Sequence, residues 1–161
     1  MGAAEIKVKK VEPMTVAFVV MKGSYSLIPS AFTRLYGWMG KKGYAPSGPP
    51  VGVYFNAPGQ VPEEELSWEL RSPIAKQVNP GGPDAQGLGV KRVSGGQVAA
   101  AMHKGTFDKL GQTYGELTDW IMASYWEISG PPEEVYYSDP TQTPQEQLLT
   151  EVRFPVRRKL K

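Results

Sequence analysis

Apolar positions recur with two different periods along this chain, and the changes of period outline its elements. Val16, Phe18 and Val20 lie in a run that is apolar almost throughout and ends at Lys22-Gly23. Such a run reads as a mostly buried strand. From residue 28 the spacing becomes Ile28, Ala31, Phe32, Leu35, Trp38 and Met39, a stripe with the helical period. Ser24, just after the glycine, is placed to accept a backbone N–H at the helix start. The helix must end before Gly48-Pro49-Pro50, because proline lacks an amide proton and clashes with the preceding turn. Two further stretches, VGVYFN and ELSWELRS, alternate as half-buried strands do. The pattern predicts strand, helix, strand, strand.

The same order is then written again. Gly48 and Gly130 open matching Gly-Pro-Pro phrases 82 positions apart (130 − 48). At that offset VAFVVMKGSY aligns with VAAAMHKGTF, Trp38 with Trp120, Tyr54 with Tyr136, and VPEEELSWELRSPI with TPQEQLLTEVRFPV. The second helix stripe is Leu110, Tyr114, Leu117, Trp120 and Ile121, preceded by Thr106 as the matching cap. No gap is needed from Val11/Val93 to Ile74/Val156, and about one position in three is identical, the signature of an internal repeat. The chain therefore reads as an α+β fold of duplicated β-α-β-β units with pseudo-two-fold symmetry. Its single domain, residues 1–161, divides into half 1 at about 5–74, a Gly/Pro-rich connection at 75–89, and half 2 at about 90–157. One unit alone buries too little surface, so two should pack together around a central groove. Trp38 and Trp120, on the stripes, read as core.

The copies matter most where they differ. Period-two alternation puts Val152, Phe154 and Val156 on one face of the last strand and Glu151 and Arg153 on the other. With the helix on the aliphatic face, the opposite face would carry Tyr54, Glu69 and Arg71 from the first copy. From the second it would carry Glu134, Tyr136, Glu151 and Arg153. Gly52 stands where Glu134 stands, so the second copy adds a carboxylate. Rings beside carboxylates suit a flat apolar or cationic organic molecule, through area, cation–π attraction and charge complementarity. The plainer alternative makes Glu69–Arg71 and Glu151–Arg153 exposed cross-strand pairs of little energy.

Duplicated β-α-β-β units closing with YY…P and TEVRFPV resemble the GyrI-like small-molecule-binding domain, the effector-binding domain of multidrug-responsive transcription activators. The resemblance runs from Glu5 to Val156. It implies a stand-alone module that binds hydrophobic, aromatic or cationic small molecules, in drug or toxin sensing or sequestration. The positions matching the family's groove acids are Glu134 in EEVYY and Glu151 in TEVRF, with Tyr54, Tyr136, Trp68 and Trp126 as groove aromatics and Glu69 and Arg153 beside them. Two other functions stay open. One is hydrolysis of strained cyclopropane-containing alkylating compounds, with Glu134 or Glu151 activating water beside Tyr136. The other is a protein-interaction role of gyrase-inhibitor type, with the partner unknown. No stretch outside the two units is left for a helix-turn-helix domain, so no direct nucleic-acid binding is expected.

Charge and composition narrow the picture slightly. A formal charge of +2 does not argue for nucleic acid, and the run Arg157, Arg158, Lys159 and Lys161 reads as a solvated terminus. The absence of cysteine excludes disulfides, thiol catalysis and cysteine metal sites. The lone His103 cannot assemble a zinc site. A haem axial ligand, as in the more distantly similar SOUL proteins, is the alternative to a structural role, and the structural role is the expectation. No cofactor or metal is expected. No signal peptide opens the chain and no apolar run nears the roughly 20 residues of a membrane helix, which points to a cytoplasmic protein. Each Gly-Pro-Pro follows a helix and leads into a strand, so both are turn devices rather than phosphate loops.

Overall fold

In the computed structural model, which describes residues 5–75 and 77–160, the chain divides into two compact units. Residue 76, in the connection, and Lys161, of the basic run, lie outside the described residues. The first unit takes residues 13–94. The second gathers the segment up to Glu12 with the chain from Gly95 onward.

Nine strands and two α-helices fall in the described residues. In the first unit the sheet runs β3 (Val51–Tyr54), β4 (Ser67–Pro73), β2 (Met14–Lys22), β5 (Leu88–Val93), with every pair antiparallel. Helix α1 (Ile28–Lys42) buries Ala31, Leu35 and Met39 against Ala17, Val19, Trp68 and Leu70 of the sheet. It stops at Gly43, whose φ of 76° is the left-handed turn that glycine adopts without strain. In the second unit the sheet runs β1 (Ile6–Val11), β6 (Gly96–Lys104), β9 (Leu149–Arg158), β8 (Glu133–Tyr136), with β7 (Trp126–Ile128) on the far stretch of β9. Helix α2 (Leu110–Met122) buries Leu117 and Ile121 against Ala99, Ala101, Val152, Phe154 and Val156. Each unit is thus an antiparallel sheet with one helix on one face, an α+β arrangement.

Four details differ from the sequence expectation. The alternation of Ile6–Val11 marks a strand of its own, and it pairs with β6; Leu88–Val93 pairs in turn with β2. The spatial units therefore exchange their leading strands relative to halves cut at 5–74 and 90–157. Ser24 does not cap α1: its hydroxyl accepts from the Ser26 amide of a single 3-10 turn, Tyr25–Leu27, inserted before the α-helix. Thr106 likewise precedes a 3-10 turn, Phe107–Lys109, and makes no cap hydrogen bond to it. Trp120 is 36% exposed rather than core, whereas Trp38 packs edge-on against Tyr44.

Candidate functional site

Strand register decides which side chains meet. Residues directly opposite in an antiparallel pair share a face. In the second unit Glu134 lies opposite Val152, and Tyr136 opposite Thr150, which is in turn opposite His103. Val152 belongs to the core under α2, so Glu134, Tyr136, Thr150 and His103 all lie on the helix-covered face. Glu151 and Arg153 point the other way, with Glu133 and Val135. The first unit follows the same rule. Tyr54 lies opposite Trp68 and Gly52 opposite Leu70 under the helix, while Glu69 and Arg71 take the outer face. The expected single wall of tyrosine, glutamate and arginine is thereby corrected. The tyrosines and Glu134 lie on one side of the sheet, and Glu69, Glu151 and Arg153 on the other. The cause is that β3 and β8 turn their aliphatics, Val53 and Val135, away from the helix and still bury them.

The outer-face acids are neutralised. Glu69 is held by Arg71 and by Lys91 at 2.8 Å; Glu151 by Lys9 and by Arg153 at 3.3 Å. Arg153 also donates to Glu133 at 2.8 Å. Glu69 and Glu151 are buried, so these are internal ion clusters rather than exposed pairs of little energy.

Glu134 is built differently. Its carboxylate accepts the hydroxyls of Tyr114, from α2, at 2.5 Å and of Tyr136 at 2.7 Å. Among the described residues no lysine or arginine pairs with it. Burial raises its pKa above the ordinary 4.5, while the two tyrosine hydrogen bonds and the nearby His103 pull it back only in part. Phe107 meets Tyr136 edge to face at 6.2 Å, and Phe154 meets Tyr114 at 6.1 Å. The result is a half-buried acid, short of positive charge, set among aromatic rings. Such a site favours a cation that brings its own apolar surface.

Around the acid the polar groups are fixed. His103 Nε2 faces the Thr106 carbonyl at 2.8 Å, and a carbonyl only accepts, so that nitrogen carries the proton. Nδ1 hydrogen-bonds the Thr113 hydroxyl at 2.9 Å. Both ring nitrogens are thus engaged within the protein. Thr150 is fully buried, and its hydroxyl has no hydrogen-bond partner among the described residues. Among those residues no cluster of three His, Cys, Asp or Glu side chains is close enough to hold a metal ion.

Of the other residues singled out from sequence, Trp126 lies on β7 with the Arg158 guanidinium 5.1 Å over its ring, packed against the α2 core. Tyr54 and Trp68 belong to the first unit, where Tyr25 meets them edge-on at 5.3 and 6.0 Å. Sequence pattern does not mark Tyr114, Phe107 or Thr150 as site residues. Tyr114 sits in the helix stripe and looks like any core aromatic. Thr150 has only its place in the repeat as a signal, 82 positions after Trp68.

An aromatic-lined, half-buried acid on an antiparallel α+β fold is suited to holding a small organic molecule. The chain belongs to the GyrI-like small molecule binding domain family, which it matches over residues 4–157. No curated protein matches it significantly. Among solved structures it is similar to EcmrR in a DNA complex, with TM-score 0.82 and 16% identity over 96% of this chain; it spans 58% of the EcmrR chain. It is similar to a hydrolase from Listeria innocua, with TM-score 0.73 and 18% identity over 98% of this chain and 94% of that one. It is also similar to SAV2435 bound to tetraphenylphosphonium, with TM-score 0.60 and 15% identity over 95% of this chain and 94% of that one. At these identities the likeness establishes the fold.

Proposed function

We propose that this protein binds hydrophobic aromatic cations in the second unit, with Glu134 recognising the charge and Tyr114, Tyr136 and Phe107 supplying the rings. One observation carries the reading: Glu134 is a half-buried acid on the sheet with no basic partner among the described residues, while its sheet neighbours Glu69, Glu133 and Glu151 are all neutralised. An apolar cation removes the cost of that charge, and a neutral ligand does not. The same reading takes the chain as two copies of one unit, of which the second alone acquired the acid. Tetraphenylphosphonium, bound by the structurally similar SAV2435, is the natural probe. Sensing or sequestration of a drug or toxin follows from such binding.

A second reading is favoured by the raised pKa of Glu134 beside two tyrosine hydroxyls, an arrangement suited to proton transfer in hydrolysis. Tryptophan fluorescence titrations with tetraphenylphosphonium and neutral triphenylphosphine oxide, each followed by mass spectrometry, test the first reading. Titrations with electrophilic cyclopropane compounds test the second. Saturable quenching favouring the cation, with ligand recovered unchanged, is expected of a binder. Time-dependent mass change of the cyclopropane compound assigns a hydrolase. Equal affinity for cation and neutral ligand contradicts the role of Glu134.

A further inference from the structure

The two units hold matching positions in matching frames. Gly23 N donates to Leu66 O at 2.8 Å, and Gly105 N to Leu148 O at 2.8 Å; the two glycines have φ of 124° and 125°. Lys91, Glu69 and Arg71 cluster in the first unit as Lys9, Glu151 and Arg153 do in the second. Across the helix face the first unit reads Met21, Trp68, Tyr54, and the second His103, Thr150, Tyr136. Within this shared frame the contents diverge sharply.

In the first unit the site is filled by the protein itself. The Trp68 indole is fully buried, its Nε1–H donates to the Gly23 carbonyl at 2.9 Å, and the Tyr25 ring meets it edge-on. Tyr54 folds over Gly52 so closely that a Cβ there would clash with its hydroxyl. In the second unit a threonine replaces the indole, a glutamate replaces Gly52, and Phe107 replaces Tyr25. The Thr150 hydroxyl is buried and has no hydrogen-bond partner among the described residues. Phe107 is 41% exposed, so the rim of the site is a ring that solvent reaches.

We infer that the ligand's ring takes, in the second unit, the place that the Trp68 indole takes in the first. The inference rests on the proposed function and adds the ligand's class: a bicyclic heteroaromatic ring bearing an N–H donor, joined by a short chain to a protonated amine. The ring lies by Phe107 and Tyr136, and its N–H is directed to the Thr150 hydroxyl, a buried group without a partner among the described residues. The ammonium meets Glu134. Access requires the Phe107–Tyr136 ring pair to part. Thr150 is therefore the residue that sets ring size and reads the donor, and the first unit shows what a closed version of the site contains.

Calorimetric titration tests this with tryptamine and 1-methyltryptamine, in which a methyl group replaces the ring N–H, and with tetraphenylphosphonium as a reference cation. Wild type is expected to prefer tryptamine over its methylated form by about 3- to 10-fold. Thr150→Trp, which installs the residue the first unit accommodates, is expected to lower tryptamine affinity at least tenfold with the circular dichroism spectrum retained. Thr150→Val, similar in volume without the hydroxyl, is expected to narrow the preference between the two amines. A folded Thr150→Trp variant that binds tryptamine as wild type does overturns the inference. If that variant does not fold, Thr150→Val decides: an unchanged preference overturns it. Wild type that binds tetraphenylphosphonium but not tryptamine also overturns it and leaves the proposed function standing. Failure to bind either cation instead removes the proposed function itself.

Discussion

Replacing Glu134 by glutamine isolates the charge from the shape of the site. The amide keeps an oxygen to accept from Tyr114 or Tyr136 and removes the negative charge that the surroundings leave uncompensated. For an aromatic cation, losing a partly buried charge-assisted contact costs about 1–3 kcal/mol, or about a 5- to 150-fold rise in Kd. A neutral ligand of similar shape should shift by less than about twofold, since its area contacts remain. Stability without ligand should move the opposite way. Because burial raises the Glu134 pKa, its contribution to stability is fully present below the unfolded value of 4.5 and is lost as pH rises through the higher folded value. The glutamine variant has no such loss, so its melting temperature relative to wild type should be higher at pH 7 than at pH 4. Cation affinity of wild type should weaken as pH falls through the folded Glu134 pKa, while the variant's profile stays flat over that range. The assay is calorimetric titration of tetraphenylphosphonium and triphenylphosphine oxide from pH 4 to 8, with thermal melts alongside. Equal loss for cation and neutral ligand, or a flat wild-type pH profile, would refute the reasoning.

Glu151→Gln should lower stability by about 3 kcal/mol, because it strips a buried acid from Lys9 and Arg153, yet leave tetraphenylphosphonium affinity within about twofold. Urea denaturation read beside the titration separates the two effects, and a large affinity loss with unchanged stability would move the binding face to the outer side of the sheet. Gly52→Ala should destabilise by about 1–3 kcal/mol, since its Cβ must displace the Tyr54 ring. Thermal melts check this, and an unchanged melting temperature would mean that Tyr54 does not close over that position in solution.

Much of this architecture was legible in the pattern of residues, and the parts that were not have physical reasons. The switch from strand to helix period at residue 28, and its echo at 110, located both helices because each buries a single stripe. Leading-strand exchange left no local trace, since whether Ile6–Val11 pairs with β2 or β6 is a long-range choice. Alternation separates Glu134 from Val135 but not the covered side from the outer side, because the buried Val135 lies on the outer face of β8 while Glu134 and Tyr136 under the helix are half-buried. Glu134 stands out in the sequence because Gly52 occupies the position 82 residues earlier. The neighbouring Tyr114 does not, for an aromatic at helical spacing looks the same whether it packs in a core or donates to an acid. Thr150 was readable as a large-to-small change from Trp68, but only register showed that the change falls beside Glu134 and Tyr136.

The most direct test is the ionisation of Glu134 itself, followed through its side-chain carboxyl carbon by NMR as pH is varied, with and without saturating tetraphenylphosphonium. A half-buried acid awaiting a cation should titrate above 4.5 when the protein is unliganded and shift clearly downward when the cation is bound. A midpoint at the ordinary carboxylate value that does not move on cation binding would contradict the role assigned to Glu134.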